Sequence, residues 1–134
     1  NTYKSRKIRT WTVRYNWKKW GKFRKSYFRT YWFIKRYTLY RDFIKRGVYI
    51  SFDTIGKINY LSEKKEIEYI KYLCDRGWEN KILLSVDLTR QSHLKENGGI
   101  GYSYLLEEFV PKLLENGVEL EKIEKFLVEN PKKF

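Results

Sequence analysis

The chain has 134 residues, about one domain, and carries 29 Lys and Arg against 16 Asp and Glu, a formal charge of +13. Its 42% hydrophobic content suffices for a core and argues against wholesale disorder. No apolar run approaches the roughly 18 residues that span a membrane, and no secretory leader is recognisable, so a soluble, cytoplasmic protein is expected. One cysteine, Cys74, excludes an internal disulfide framework, and one histidine, His93, excludes a His-rich metal site built by this chain alone.

Composition divides the chain near residue 46. Residues 1–46 hold 16 Lys and Arg, a single acid (Asp42) and 14 of the 25 aromatics. The other 88 residues hold 13 basic and 15 acidic side chains, with aliphatics at ordinary frequency. Two readings of residues 1–46 stay open. One is a nucleic-acid-binding arm, whose Lys and Arg neutralise phosphates while interleaved aromatics stack on bases. In it Trp11, Val13, Tyr15 and Trp17 alternate as on a strand, and Trp20, Phe23, Tyr27 and Tyr31 approach helical spacing. The other is a disordered or out-of-frame segment: tryptophan has a single codon, which a one-base shift converts to glycine, as at Trp11, Trp20 and Trp32.

From Gly47 onward the elements follow in order. Val48 to Asp53 is a β-rich run leaving into a loop at Thr54-Ile55-Gly56. Ser62 caps a helix over 63–76 that stops at Gly77, with Ile67, Ile70, Leu73 and Cys74 as its buried stripe. On that stripe Cys74 reads as core filler rather than a reactive thiol. Lys81 to Asp87 is a second strand whose nearly continuous apolar run suits a parallel strand covered on both faces.

A polar, Gly-rich loop spans 90–101, and a helix is predicted over 102–116, with Leu105, Leu106, Phe109, Leu113 and Leu114 inward. Pro111 must kink or restart it. A last helix, 120–129, is predicted to stop before Pro131. Two strands joined by a helix form a parallel βαβ unit, so the fold class is α/β. Two strands cannot bury both faces, so a larger sheet is expected.

In parallel α/β folds ligands gather at the carboxyl ends of strands, where Asp53 and Asp87 both fall. Two such carboxylates can bind a cation or handle a proton; a strand-end Asp can equally cap a loop. His93, in the loop after Asp87, reads more readily as a surface histidine than as a ligand. Arg90 meets an anionic substrate group or is an ordinary solvated charge. Gly98-Gly99-Ile100-Gly101 lacks the spacing and the Lys-Ser/Thr of a phosphate loop.

The runs ILLSVDLTRQS (82–92), GGIGYSYLLEEFVPKLLENGV (98–118) and IEKFLVENPKKF (123–134), with GVYISFDTIGK (47–57) and LCDRGWENKILLS (73–85) upstream, resemble the phosphotriesterase family of the amidohydrolase superfamily, nearest the branch of phosphotriesterase homology proteins. The resemblance covers residues 47–134 and implies the C-terminal βαβα(α) part of a (β/α)8 TIM barrel, 48–53 being its seventh strand and 82–87 its eighth. It further implies a binuclear metal centre, usually zinc, that hydrolyses an ester, lactone or phosphoester of a small-molecule substrate. In that family the centre is held by a His-x-His pair, a carboxylated Lys, two further histidines and one Asp.

The family's Asp motif falls on Asp87, which would bind metal and accept a proton from the activated water; Arg90 is the candidate substrate-binding residue. Two departures stand out: Thr54 and Lys57 occupy positions where well-known phosphotriesterases carry histidines, which removes a proton relay. The family's other metal ligands precede the seventh strand, and residues 1–46 contain no histidine. A barrel of ~250 residues is thus represented by about its last third, and the expectation is a fragment that is inactive alone.

Overall fold

The computed structural model describes residues 27–29, 37–57 and 59–134. The aromatic patterns at 11–17 and 20–31 therefore lie outside the described residues, apart from the short stretch at Tyr27. In chain order the elements are β1 (Tyr27–Arg29), α1 (Tyr37–Lys45), β2 (Tyr49–Phe52), α2 (Glu63–Asp75) and β3 (Ile82–Leu84). Then come α3 (105–115) and α4 (120–133), each of which contains a wide π-helical turn.

The three strands form one parallel sheet in the order β1-β2-β3. Ile50 is level with Phe28 on one side and with Ile82 on the other. The expected parallel pair is present, and β1 adds a third strand on the far side of β2, N-terminal to the composition break. Every residue of β2 is buried, as a central parallel strand requires.

The helices cover the sheet. Ile67, Ile70, Leu73 and Cys74 of α2 are buried as the periodicity predicts, beside Tyr40 of α1 and Phe109, Leu113, Ile123 and Phe126 of α3 and α4. Ser62 caps α2, its Oγ accepting the Lys65 N–H at 3.4 Å. Both α2 and α3 end in the same way. The N–H groups of Gly77 and Trp78 return to the carbonyls of Cys74 and Leu73, and those of Gly117 and Val118 to Leu114 and Leu113. That double bond needs a left-handed residue, supplied by Gly77 at φ 73° and Gly117 at φ 85°. The chain closes with the Phe134 ring edge-on to Tyr49, 5.3 Å between centroids.

Three predicted boundaries are corrected. The strand expected over 81–87 is regular only over Ile82–Leu84, because residues 79–81 form a 3₁₀ turn and Asp87 turns left-handed at φ 49°. The last helix does not stop before Pro131 but runs through it to Lys133. The residue before each proline donates five residues back, Asn130 to Lys125 and Val110 to Leu105. The wide turn gives room for a ring that would otherwise crowd the carbonyl four residues earlier. Phe109 and Leu113 point inward, but Leu106 (60% exposed) and Leu114 (44%) face outward: the wide turn puts Leu106 out of phase with the helix that follows, and Leu114 lies about 100° round the helix from Leu113.

Candidate functional site

Asp53 and Asp87 follow equivalent strand ends yet lie in different surroundings. Beyond β2 and β3 the sheet bonding continues: the Ser85 N–H donates to the Phe52 carbonyl at 2.8 Å, and the Ile55 N–H to the Ser85 carbonyl at 3.3 Å. Asp53 falls between those two bonds and is only 6% exposed. Asp87 lies beyond them. Its N–H donates to Ser85 Oγ at 3.3 Å, and its side chain is 34% exposed.

Asp87 lines a cavity of ≈ 430 Å³ at the carboxyl end of the sheet. The walls come from the β2–α2 connection, with Gly56, Lys57, Asn59 and Tyr60, and from the β3–α3 connection, with Leu88, Thr89, Arg90, His93, Gly99 and Ile100. Among the described residues Asp87 is the one carboxylate in that lining, and Asp53 is not part of it. The two aspartates expected on one rim are therefore separated by burial.

Lys57 and Arg90 bring positive charge to the remaining polar lining. Lys57 Nζ donates to the main-chain carbonyl of Asp87 and stands 3.4 Å from its Oδ2. His93 is half-buried in a 3₁₀ turn (Gln91–His93), its Nδ1 accepting the Thr89 N–H at 3.4 Å. The loop is folded back on itself: the N–H groups of Gly99 and Gly101 donate to the carbonyls of Leu94 and His93, both at 2.9 Å. Arg90 lies at the exposed mouth. The structure thus gathers Asp87, Arg90 and His93, three residues singled out in the sequence, together with Lys57.

Cys74 is buried and remote from the cavity lining, and burial pushes its thiol up to about 11. Glu66 gave no functional signal in the sequence, where it reads as a favourable first-turn acid of α2. In the structure it is 1% exposed, and desolvation, with Glu63 and Asp53 nearby, raises its carboxyl to about 8. The available signal was its place on the same helical face as Ile67, Ile70 and Leu73.

A parallel β/α sheet with a cavity over its carboxyl strand ends is the arrangement of an α/β fold, barrel or doubly wound. Residues 36–134 match the model of the phosphotriesterase family, and the chain belongs to that family. It is 47% identical over 91 residues to the phosphotriesterase homology protein of Escherichia coli, covering 68% of this chain and 31% of the relative. The crystal structure of that protein, with phosphate in its active site, superposes with a TM-score of 0.74 at 40% identity, over 82% of this chain and 37% of the other.

The N-acetyltaurine hydrolase of Danio rerio is 31% identical over 103 residues, 69% of this chain and 30% of the relative. A lactonase from Listeria monocytogenes superposes with a TM-score of 0.65 at 34% identity, over 70% of this chain and 30% of the other. The chain spans about a third of the length of the curated relatives it matches. The expected fold, the last part of a (β/α)8 barrel, stands.

Among the described residues no group of three His, Cys, Asp or Glu side chains converges to hold a metal ion. The donor chemistry at the cavity, one carboxylate and one imidazole, fits a share of a zinc centre and not a whole one. Also among the described residues, no helix is long and apolar enough to cross a membrane.

Proposed function

We propose that this chain supplies the last-strand sector of a metal-dependent hydrolase acting on an ester, lactone or phosphoester bond, with Asp87 as metal ligand and proton acceptor. One observation carries the reading: Asp87 stands past the Ser85–Ile55 sheet bond, partly exposed, as the one carboxylate of the cavity lining among the described residues. Bound zinc would supply Lewis-acid activation of water and of the scissile group.

This chain's own residues supply the rest. The Asp87 carboxylate takes the proton released as the nucleophile forms. Arg90, at the mouth, meets an anionic group on the substrate, and the basic lining of Lys57 and Arg90 favours substrates that carry one. The bound phosphate of the E. coli protein supports an anionic substrate group. The N-acetyltaurine hydrolase name of the Danio rerio relative, which denotes cleavage of an amide that carries a sulfonate, supports hydrolysis and an anionic group without choosing the bond.

The test is a chimera in which residues 36–134 replace the matching stretch of the E. coli phosphotriesterase homology protein. Zinc-loaded chimera is expected to hydrolyse at least one compound of an ester, lactone and phosphoester panel, and Asp87→Asn to abolish that turnover. Hydrolysis undiminished in Asp87→Asn, or a folded, zinc-loaded chimera inert on the whole panel, would refute the assignment.

A further inference from the structure

Lys57 holds the same residue at two points. Its ammonium donates to the Asp87 main-chain carbonyl and lies 3.4 Å from Asp87 Oδ2, across 30 residues of sequence. The lysine side chain is only 16% exposed. Its own backbone is fixed, the Lys57 N–H donating to the Thr54 carbonyl at 2.9 Å. Gly56, the preceding residue, sits beneath Ile100 and Tyr104. Asp87, at φ 49°, is the one non-glycine residue with positive φ among the described residues. An aspartate tolerates that conformation but does not favour it, and Lys57 contacts both its main chain and its side chain.

We propose that Lys57 is the positioning residue of the site: it pins the left-handed backbone of Asp87 and aims its carboxylate. The proposal rests on the reading of Asp87 as a metal ligand and assigns to Lys57 a task that reading leaves open. A carboxylate ligand works through its orientation, and the partner that orients it sets metal affinity. Charge alone predicts the reverse effect, since an ammonium beside the carboxylate opposes a second cation there. Replacing Lys57 with a neutral side chain therefore separates the two. Loss of orientation weakens a metal at Asp87; loss of repulsion alone strengthens it.

The metal-free arm uses the full isotope-labelled chain followed by NMR. The metal arm titrates Co2+ alone into the chimera with the E. coli protein, in which the rest of the barrel completes the site that this chain's donors only share. Lys57→Met is expected to move the Asp87 Cα and amide shifts away from left-handed values before metal is added. It is then expected to weaken Co2+ binding at Asp87 about tenfold. Lys57→Arg, whose planar fork can also span two oxygens, is expected to recover affinity to within about threefold. Lys57→Gln serves where the methionine variant does not fold.

Unchanged Asp87 shifts in Lys57→Met, or Co2+ binding as tight as or tighter than in the unsubstituted chimera, overturns the proposal. Asp87→Asn separates the two failures. If the chimera carrying it binds Co2+ like the unsubstituted chimera, Asp87 is not a ligand and the functional reading falls, while the metal-free shifts of the full chain still decide whether Lys57 holds the backbone.

Discussion

Glu66 offers the sharpest test of the packing. It lies on the buried face of α2 at 1% exposure, and neither carboxylate oxygen meets a hydrogen-bond donor among the described residues. Burial, then the negative charges of Glu63 and Asp53, raise its carboxyl from an ordinary 4.5 to about 8. The folded chain thus holds this proton more tightly than the unfolded chain. Stability from this group is complete below about pH 4.5, falls as pH rises and is lost once pH passes about 8.

At about 1.4 kcal/mol per tenfold change in proton affinity, the full swing is on the order of 5 kcal/mol. That is comparable to the whole stability of a small domain. Urea midpoints of the unsubstituted chain and Glu66→Gln, followed by circular dichroism from about pH 5 to pH 9, isolate the effect. The neutral amide should match the neutral acid to within about 1 kcal/mol at the acid end and be the more stable protein by several kcal/mol at the alkaline end. Parallel curves for the two proteins would show that the ionised carboxylate finds solvent or a cation, and the reasoning would fail.

Three further outcomes follow from the packing. Asn130 is fully buried, and its Nδ2 donates to the carbonyls of Glu79 and Ile82, both at 2.8 Å, tying α4 to the start of β3. Asn130→Ala removes both bonds, although the Glu79 carbonyl keeps the Ile82 N–H of the 3₁₀ turn, and should cost about 1–3 kcal/mol in urea unfolding; a loss under about 0.5 kcal/mol would refute it. A Cβ on Gly99 would collide with the backbone of His93, so Gly99→Ala should shift the amide resonances of residues 89–95, and an unchanged spectrum would refute the close packing of this loop. Cys74, buried with its thiol raised to about 11, should resist iodoacetamide in the native chain near pH 8 and react fully in urea; rapid native alkylation would show that its cover opens.

Local chemistry made part of this structure legible. Ser62, Gly77 and the stripe Ile67, Ile70, Leu73 and Cys74 bound and orient α2 by rules that operate within a few residues, and the structure follows them. The π turns before Pro111 and Pro131 are not readable from a 3.6-residue period, because the extra residue changes the period itself. That is why the period places Leu106 inward. Asp87 was legible as a strand-end carboxylate. Its contact with Lys57 was not, since it joins two loops 30 residues apart and depends on how both close over the sheet. The strand β1 is only three residues long, and although Tyr27 and Phe28 favour strands, the spacing Trp20, Phe23, Tyr27, Tyr31 reads as helical there, which the strand corrects at Tyr27.

The different fates of the two aspartates show how repeated β–α units divide their labour. Each follows a parallel strand and leads into a loop, so residue type and position in the unit do not distinguish them. The sheet's hydrogen bonding does. Ser85 bonds to residues on either side of Asp53, to Phe52 at 2.8 Å and to Ile55 at 3.3 Å, drawing that aspartate under the sheet's end and out of solvent. Asp87 comes two residues after Ser85, where the left-handed turn takes the chain out of the sheet and into the cavity wall. Two residues of stagger between adjacent strands thus set a buried carboxylate apart from one that reaches a cavity. Register, more than residue identity, selects which strand-end aspartate is available for chemistry.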